Sequence, residues 1–343
     1  MQPLHIEGGF RKYEEVAFLR GFAMLSVVLM HLLQVWVSEG DLPGWLRLAA
    51  SLGGTGGHVF IICSGFGLYL SWMRRPLKYG EFLRKRFVKI YLPYIAVVFV
   101  EYVLYFDGFA SERTKALLSH IFLYKMFIDR YNITFGLQFW FISTIFQFYF
   151  LFIPLCRLLQ KLSRRYFFLL CLGISAAWWV FTEVTGLAYY RVWSSFCLQY
   201  LWEFALGMLL AEHLGRGQSL RTEAWLLPAV MICGLGLQAL SVKLGGWAAV
   251  FNDVPGTLGY TALALQLYQY GKRVIRPVGL WLNTVSYEWY LTHVLAFGCS
   301  YRCFRPLLRN ETVLAVLAFL CSLLFAWGYA AIIRLVRRRR RVT

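Results

Sequence analysis

Long apolar runs, each bounded by short polar segments, recur along the chain from one end to the other. Each run is close to the ~20 residues that an α-helix needs to cross roughly 30 Å of hydrocarbon. We therefore predict an all-α fold, a polytopic membrane bundle of about ten transmembrane helices. The predicted spans are 16–37, 52–72, 87–106, 137–160, 166–186, 193–213, 224–243, 248–270, 279–302 and 312–334.

The composition supports this interpretation. Of the 343 residues, 59% are hydrophobic and 15% are charged, and the mean hydropathy of +0.56 lies outside the range of ordinary soluble domains. No connection is long enough for a soluble domain, so residues 1–343 are predicted to form a single transmembrane domain. A short N-terminal segment (1–15) and a polybasic tail (335–343) are expected in the cytoplasm.

The net charge of +18 is distributed unevenly between the two sets of loops. Most basic residues lie in the loops on the side of the N-terminus, so the positive-inside rule predicts that both termini are cytoplasmic. The tail "RLVRRRRRVT" follows an apolar run directly, so we expect it to attract anionic membrane lipids and not nucleic acid. The first run is too long for a signal-peptide core and is expected to be retained.

The first predicted helix carries two ionisable residues in the stretch "FLRGFAMLSVVLMH", namely Arg20 and His31. Eleven residues separate them, which on an α-helix brings the two side chains within about 20° of each other and roughly 16 Å apart along the axis. Ionisable groups inside a membrane are costly and usually functional. The alternative is that Arg20 reaches the lipid headgroups and His31 is a hydrogen-bonded core residue.

Four further segments contain candidate site residues. The glycine-rich run "GGTGGHVFIICSGFGLYL" contains His58 and Ser64, and its small residues permit close approach of a helix or a ligand. The segment "RKRFVKIYLPY" places Arg86 and Lys89 one helical turn apart, either as membrane anchors or as a site for anionic phosphates. The other two segments are "FWFISTIFQFYFLFIP" and "SYEWYLTHVL".

The last of these segments puts Glu288 and His293 inside a predicted span. Because they are five residues apart, they lie on different faces of a helix, and each is expected to need its own partner. The eight cysteines fall mostly within spans and form no CxxC pair. We interpret them as apolar filler and expect neither disulfides nor a metal site.

Taken together and in this order, the five segments resemble the acyltransferase family 3 membrane proteins. This resemblance implies transfer of an acyl group, usually acetyl, from cytoplasmic acyl-coenzyme A to sugars, polysaccharides, lipid-linked glycans or related acceptors. It also implies that Arg20 and His31 are functional, that acyl-CoA is a cosubstrate and not a tightly bound cofactor, and that the protein resides in a bacterial inner membrane.

The chain departs from the family pattern at two places. Lys89 stands where an arginine is common, which keeps the charge and loses the bidentate geometry. Ile145 and Phe146 stand where many members carry a glutamate, so that position offers no carboxylate to orient a histidine. Glu203 and Glu288 are the remaining deep carboxylates, and either is a candidate partner for a histidine.

The hypothesis that follows is acyl transfer. Arg86, Lys89 and Arg20 would bind the phosphates of acyl-CoA, and His31 would act as general base on the acceptor hydroxyl. The candidates for oxyanion stabilisation or substrate contact are Ser64, Gln147, Tyr290, His293, Glu288 and Glu203.

Two other functions remain open at this stage. One is export of a glycan or small solute along His31, His293, Glu203 and Glu288, and the other is a non-catalytic role in polysaccharide assembly. The longest connection, from Asp107 to about Gly136, is predicted to cover an outward opening.

Overall fold

A computed structural model describes residues 13–35, 52–104, 112–218, 223–245 and 253–342. The described residues contain helices and no strand, which confirms the predicted all-α class. The longer helices are α1 (Glu14–Val35), α2 (Gly56–Arg74), α3 (Tyr79–Arg86), α4 (Leu92–Leu104), α5 (Arg113–Ile121), α6 (Trp140–Lys161), α7 (Arg164–Val184), α8 (Leu201–Gly215), α9 (Leu226–Leu244), α10 (Asp253–Tyr270), α11 (Ile275–Asn283), α12 (Ser286–Phe304) and α13 (Glu311–Val342).

Within this described part, seven helical segments are long and apolar enough to cross a membrane. They are Glu14–Gln34, Leu52–Arg74, Tyr79–Leu104, Leu137–Lys161, Arg164–Val184, Leu226–Leu244 and Glu311–Arg339. The remaining predicted spans, 193–213, 248–270 and 279–302, are also helical where described, but they are shorter, interrupted or more polar. Helix α8 has 15 residues, and a break separates α11 from α12 at Thr284 and Val285. The expected count of about ten spans is therefore not reproduced by length and composition.

Glycines bring α2 and α8 into direct backbone contact. A Cβ atom on Gly65 would lie 2.2 Å from the carbonyl oxygen of Phe204, and one on Gly207 would lie 2.1 Å from that of Ile62. Small residues permit such close approach of membrane helices. The glycine-rich run of the sequence therefore serves helix packing, and this packing places His58 beside Glu203.

The basic segment folds as one helix with a π-helical turn in its middle. Helix α3 continues through the π-helix Phe87–Tyr91 into α4, whose second residue is Pro93. Proline has no N–H to donate to the carbonyl of Lys89, so the regular α-helical ladder is interrupted there. Single π-turns are frequent at functional sites, and this one carries Lys89.

The connection between α4 and α6 is built around a buried lysine. Residues 105–111, which include the start of the covering segment predicted from Asp107, lie outside the described residues, and the rest forms α5 and three short 3-10 turns. The ammonium of Lys125 is fully buried and donates to the carbonyls of Thr134 and Gly136 at 3.1 and 3.0 Å. His120 is equally buried and is bonded to the Tyr94 hydroxyl at 2.8 Å. These contacts fix the backbone that leads into α6.

Candidate active site

A basic cavity of about 470 Å³ opens between α1, α2, α6 and α12. Its cationic lining comes from three separate parts of the sequence, namely Arg20, the neighbouring Arg86 and Lys89, and Arg337. One carboxylate, that of Glu288, also lines it. The cavity therefore offers an excess of positive charge to an anionic ligand.

A second cavity of about 610 Å³ contains two histidines, and we call it the histidine cavity. His31 of α1 and His58 of α2 line it together with Gln138, Trp140 and Arg191. The guanidinium of Arg191 lies over the Trp140 ring at 5.2 Å. Aromatic rings and a few polar groups around a concave space are the usual features of a small-molecule site.

Three aromatic residues line both cavities and separate them: Phe60, Phe141 and Tyr290. The Phe60 and Phe141 ring centroids are 6.3 Å apart, and those of Phe141 and Tyr290 are 5.8 Å apart. On α1, Arg20 belongs to the basic cavity and His31 to the histidine cavity. The two cavities are thus arranged in succession along the first helix, at the roughly 16 Å separation expected from an eleven-residue spacing.

His31 forms a hydrogen-bonded pair with His293, and the bonds define which nitrogens carry protons. The Nδ1 atom of His293 lies 3.0 Å from the carbonyl oxygens of both Trp289 and Tyr290, so it must donate. In the neutral ring, Nε2 of His293 then accepts from Nδ1 of His31 at 2.8 Å. This tautomer leaves Nε2 of His31 unprotonated. The arrangement supplies the histidine with an orienting partner that is an imidazole and not a carboxylate.

His58 forms the second histidine pair, with Glu203. The His58 Nδ1 atom lies 2.7 Å from a carboxylate oxygen of Glu203, which is fully buried on α8. The His58 ring also packs edge-on against Tyr200 at 5.1 Å. A buried carboxylate requires a donor or a positive charge nearby, and His58 provides it here.

The other predicted site residues are distributed between the two cavities and their surroundings. Ser64 lines the basic cavity, and its hydroxyl donates to the carbonyl of Phe60 at 2.7 Å. The hydroxyl of Tyr290 donates to the carbonyl of Gln138 at 2.8 Å. Gln147 is not among the lining residues of either cavity, and its side-chain oxygen accepts from the amide of Cys197 at 3.1 Å.

Several residues that the sequence reasoning did not assign to the site belong to it. Glu203 was predicted as a candidate partner of a histidine, but His58 was assigned to a packing segment, so the pairing of the two was not predicted. Arg337 was assigned to lipid binding with the rest of the tail, and it lines the basic cavity. Gln138 carries no periodic or motif signal, and its place in the histidine cavity depends on the turn that precedes α6.

The family model described as an acyltransferase domain matches residues 13–331, which is nearly the whole chain. No curated protein and no solved structure matches the chain. The matched region contains both histidine pairs and every residue that lines the two cavities except Arg337. The chain therefore belongs to the acyltransferase family 3, as the order of its sequence segments predicts.

Proposed function

We propose that this protein is a membrane O-acyltransferase that moves an acyl group, usually acetyl, from acyl-CoA to a hydroxyl of a sugar, polysaccharide or lipid-linked glycan. The observation that carries the proposal is the pair of adjoining cavities, one cationic and one containing the His31–His293 pair. A two-substrate transfer needs separate sites for donor and acceptor that meet at the reacting atoms.

The basic cavity is the proposed donor site. Coenzyme A carries phosphates at one end and a thioester at the end of a long flexible arm, so its site needs a cationic entrance and a deeper reaction centre. Arg86, Lys89 and Arg337 provide the entrance, and Arg20 lies on the same helix as His31. The positive-inside distribution favours a cytoplasmic position for this entrance, on the side where acyl-CoA is made.

In the proposed reaction, Nε2 of His31 takes the proton of the acceptor hydroxyl while the oxygen attacks the thioester carbonyl. The tetrahedral oxyanion collapses, the carbon–sulfur bond breaks, and the departing CoA thiolate receives the proton from His31. The products are an acyl ester and free CoA. His293 orients the His31 ring through its hydrogen bond and accepts part of the positive charge that develops on it.

His31 is preferred to His58 as the base because of their partners. His31 is bonded to another imidazole, so no buried carboxylate depends on its hydrogen bond. His58 is bonded through Nδ1 to a fully buried carboxylate, which would be costly to bury without that partner. The proposal therefore gives His58 and Glu203 a structural and orienting role.

The proposal is tested with purified full-length protein in lipid nanodiscs, supplied with acetyl-CoA and a cell-envelope fraction of glycans and lipids. We expect release of free CoA that depends on the envelope fraction, together with a gain of acetyl mass on one of its components. His31→Gln should lower this rate by about 10²-fold to 10⁴-fold, the usual contribution of a general base.

The matched control is His213→Gln, since His213 lies outside the linings of both cavities. This variant should retain the wild-type rate. Full activity in His31→Gln would eliminate the proposed base. Movement of envelope material across the membrane without any covalent change would favour an exporter instead.

A further inference from the structure

Gln138 lines the histidine cavity and carries a buried side-chain amide without hydrogen-bond partners. The residue is 2% exposed and lines the cavity, yet neither its side-chain nitrogen nor its side-chain oxygen has a hydrogen-bond partner. Buried polar groups are nearly always paired, because an unmade hydrogen bond costs the full desolvation of the group. Keeping both atoms of one amide unpaired therefore calls for a ligand that pairs them.

The backbone around Gln138 holds the amide in place. Gly136 has a φ of +109°, and a Cβ there would lie 3.0 Å from the Gln138 side-chain oxygen and 2.7 Å from the Phe139 ring. The carbonyl of Gly136 accepts from the buried Lys125, and the carbonyl of Gln138 accepts from Tyr290. Two side chains from different parts of the fold thus fix the turn that carries the amide.

The chemistry of the two free atoms indicates the kind of ligand. The amide nitrogen donates and the amide oxygen accepts, so a partner that satisfies both must itself donate and accept. A thioester carbonyl only accepts. Neighbouring hydroxyls on a sugar ring do both, and the rings of Trp140, Phe141 and Tyr200 in the same cavity provide apolar surfaces against which a sugar ring can stack.

We propose that Gln138 is an acceptor-binding residue that pairs with two hydroxyls of a sugar ring in the histidine cavity. Tyr290 connects Gln138 to the His31–His293 pair. Its hydroxyl donates to the Gln138 carbonyl, and its own carbonyl accepts from His293. A sugar bound at Gln138 is therefore seated in the cavity that His31 also lines. The assignment of the sugar as acceptor rests on the proposed acyl transfer, but its binding does not.

The test measures sugar binding without acyl-CoA. Full-length protein in lipid nanodiscs, free of glycoside detergents, is mixed with a set of methyl pyranosides, and binding is followed by saturation-transfer NMR. We expect saturation of the sugar ring protons in the wild type and about tenfold weaker binding in Gln138→Met, which removes both polar atoms at nearly constant volume. Gln138→Glu keeps acceptor oxygens and loses the N–H donors, so its binding should be intermediate.

The matched control is Gln238→Met. Gln238 is a glutamine buried to a similar degree, bonded to Thr55 and outside the linings of both cavities. The Gln238→Met variant should bind the sugars as tightly as the wild type does. The thermal midpoint of Gln138→Met should equal or exceed that of the wild type, because the variant removes an unsatisfied group.

Three results would overturn the proposal: wild-type binding in Gln138→Met, equal saturation of 2-methoxytetrahydropyran, which has the ring without the hydroxyls, or no sugar binding by the wild type. The acyl-transfer assay is read separately. Sugar binding that depends on Gln138 in a protein that never consumes acetyl-CoA would refute the proposed function and leave this inference standing.

Discussion

The buried Lys125 makes the stability of the protein depend on pH. Burial lowers the pKa of its ammonium to about 7, with the charge of Glu101 opposing this shift and that of Arg191 adding to it. In the unfolded chain the pKa is about 10.4. Below about pH 7 the folded state therefore bears a penalty of about 5 kcal/mol for burying the charge. Between about pH 7 and about pH 10 the unfolded state binds one more proton, so the folded state gains about 1.4 kcal/mol per pH unit.

Lys125→Met tests this reasoning, because methionine fills a similar space and does not titrate. The free energy of unfolding of the wild type minus that of the variant should rise by about 1.4 kcal/mol per pH unit across this window. At the alkaline end the wild type should be the more stable, since the neutral amine still donates to the carbonyls of Thr134 and Gly136. The assay is denaturant unfolding in nanodiscs, followed by tryptophan fluorescence at a series of pH values.

His120 provides an internal check on which residue makes the stability change with pH. Burial and the nearby Lys125 charge hold the pKa of His120 well below its usual range, so its ring is neutral throughout the window in which Lys125 acts. If the unfolding free energy of the wild type minus that of Lys125→Met stays constant or falls as the pH rises, the pH dependence does not come from Lys125. Acidification below about pH 6.5 should destabilise both proteins alike, because the unfolded chain then binds a proton at His120.

The remaining predictions concern the two cavities and the helix packing. His293→Leu should lower acyl transfer by at least about tenfold at an unchanged KM for acetyl-CoA, measured by CoA release, because His31 loses the partner that orients it. Lys89→Glu should raise that KM by more than about tenfold, whereas Lys85→Glu, on an exposed residue outside the cavity, should leave it unchanged. Gly207→Ala should lower the thermal midpoint strongly, since its Cβ would overlap a backbone oxygen, and Gly67→Ala, with open space around it, should not.

The fold could be predicted from the sequence where an apolar run had polar ends. The predicted span 52–72 corresponds to the helical segment Leu52–Arg74, and 166–186 corresponds to Arg164–Val184. Hydropathy alone did not locate the break between α11 and α12, because the predicted span 279–302 runs across Thr284 and Val285. It also could not distinguish a full crossing from the 15-residue helix α8, whose apolar surface is buried against α2.

The positions of candidate residues along a single helix could be predicted from the sequence, but the contacts between helices could not. The eleven-residue spacing of Arg20 and His31 sets their separation along α1, which is why they fall in successive cavities. The partner of His31 is 262 positions away, and a search for a carboxylate at the position usual in the family finds Ile145 and Phe146. Tertiary contacts between distant helices leave no trace in local periodicity, so His293 could be identified as an intramembrane histidine but not as that partner.

The two histidine pairs of the histidine cavity lead to a prediction that separates their roles. Glu203 is fully buried beside His58, so His58→Gln weakens the stabilisation of a buried carboxylate and should destabilise the protein by about 3 kcal/mol. Adding Glu203→Gln should recover much of that loss, since removing both partners is less costly than removing one. Acyl transfer in the double variant, measured at a temperature where it is folded, should stay within about tenfold of the wild type. A loss as large as that in His31→Gln would instead transfer the role of base to His58, because only a base would lose its proton-accepting function in a protein whose stability has been restored.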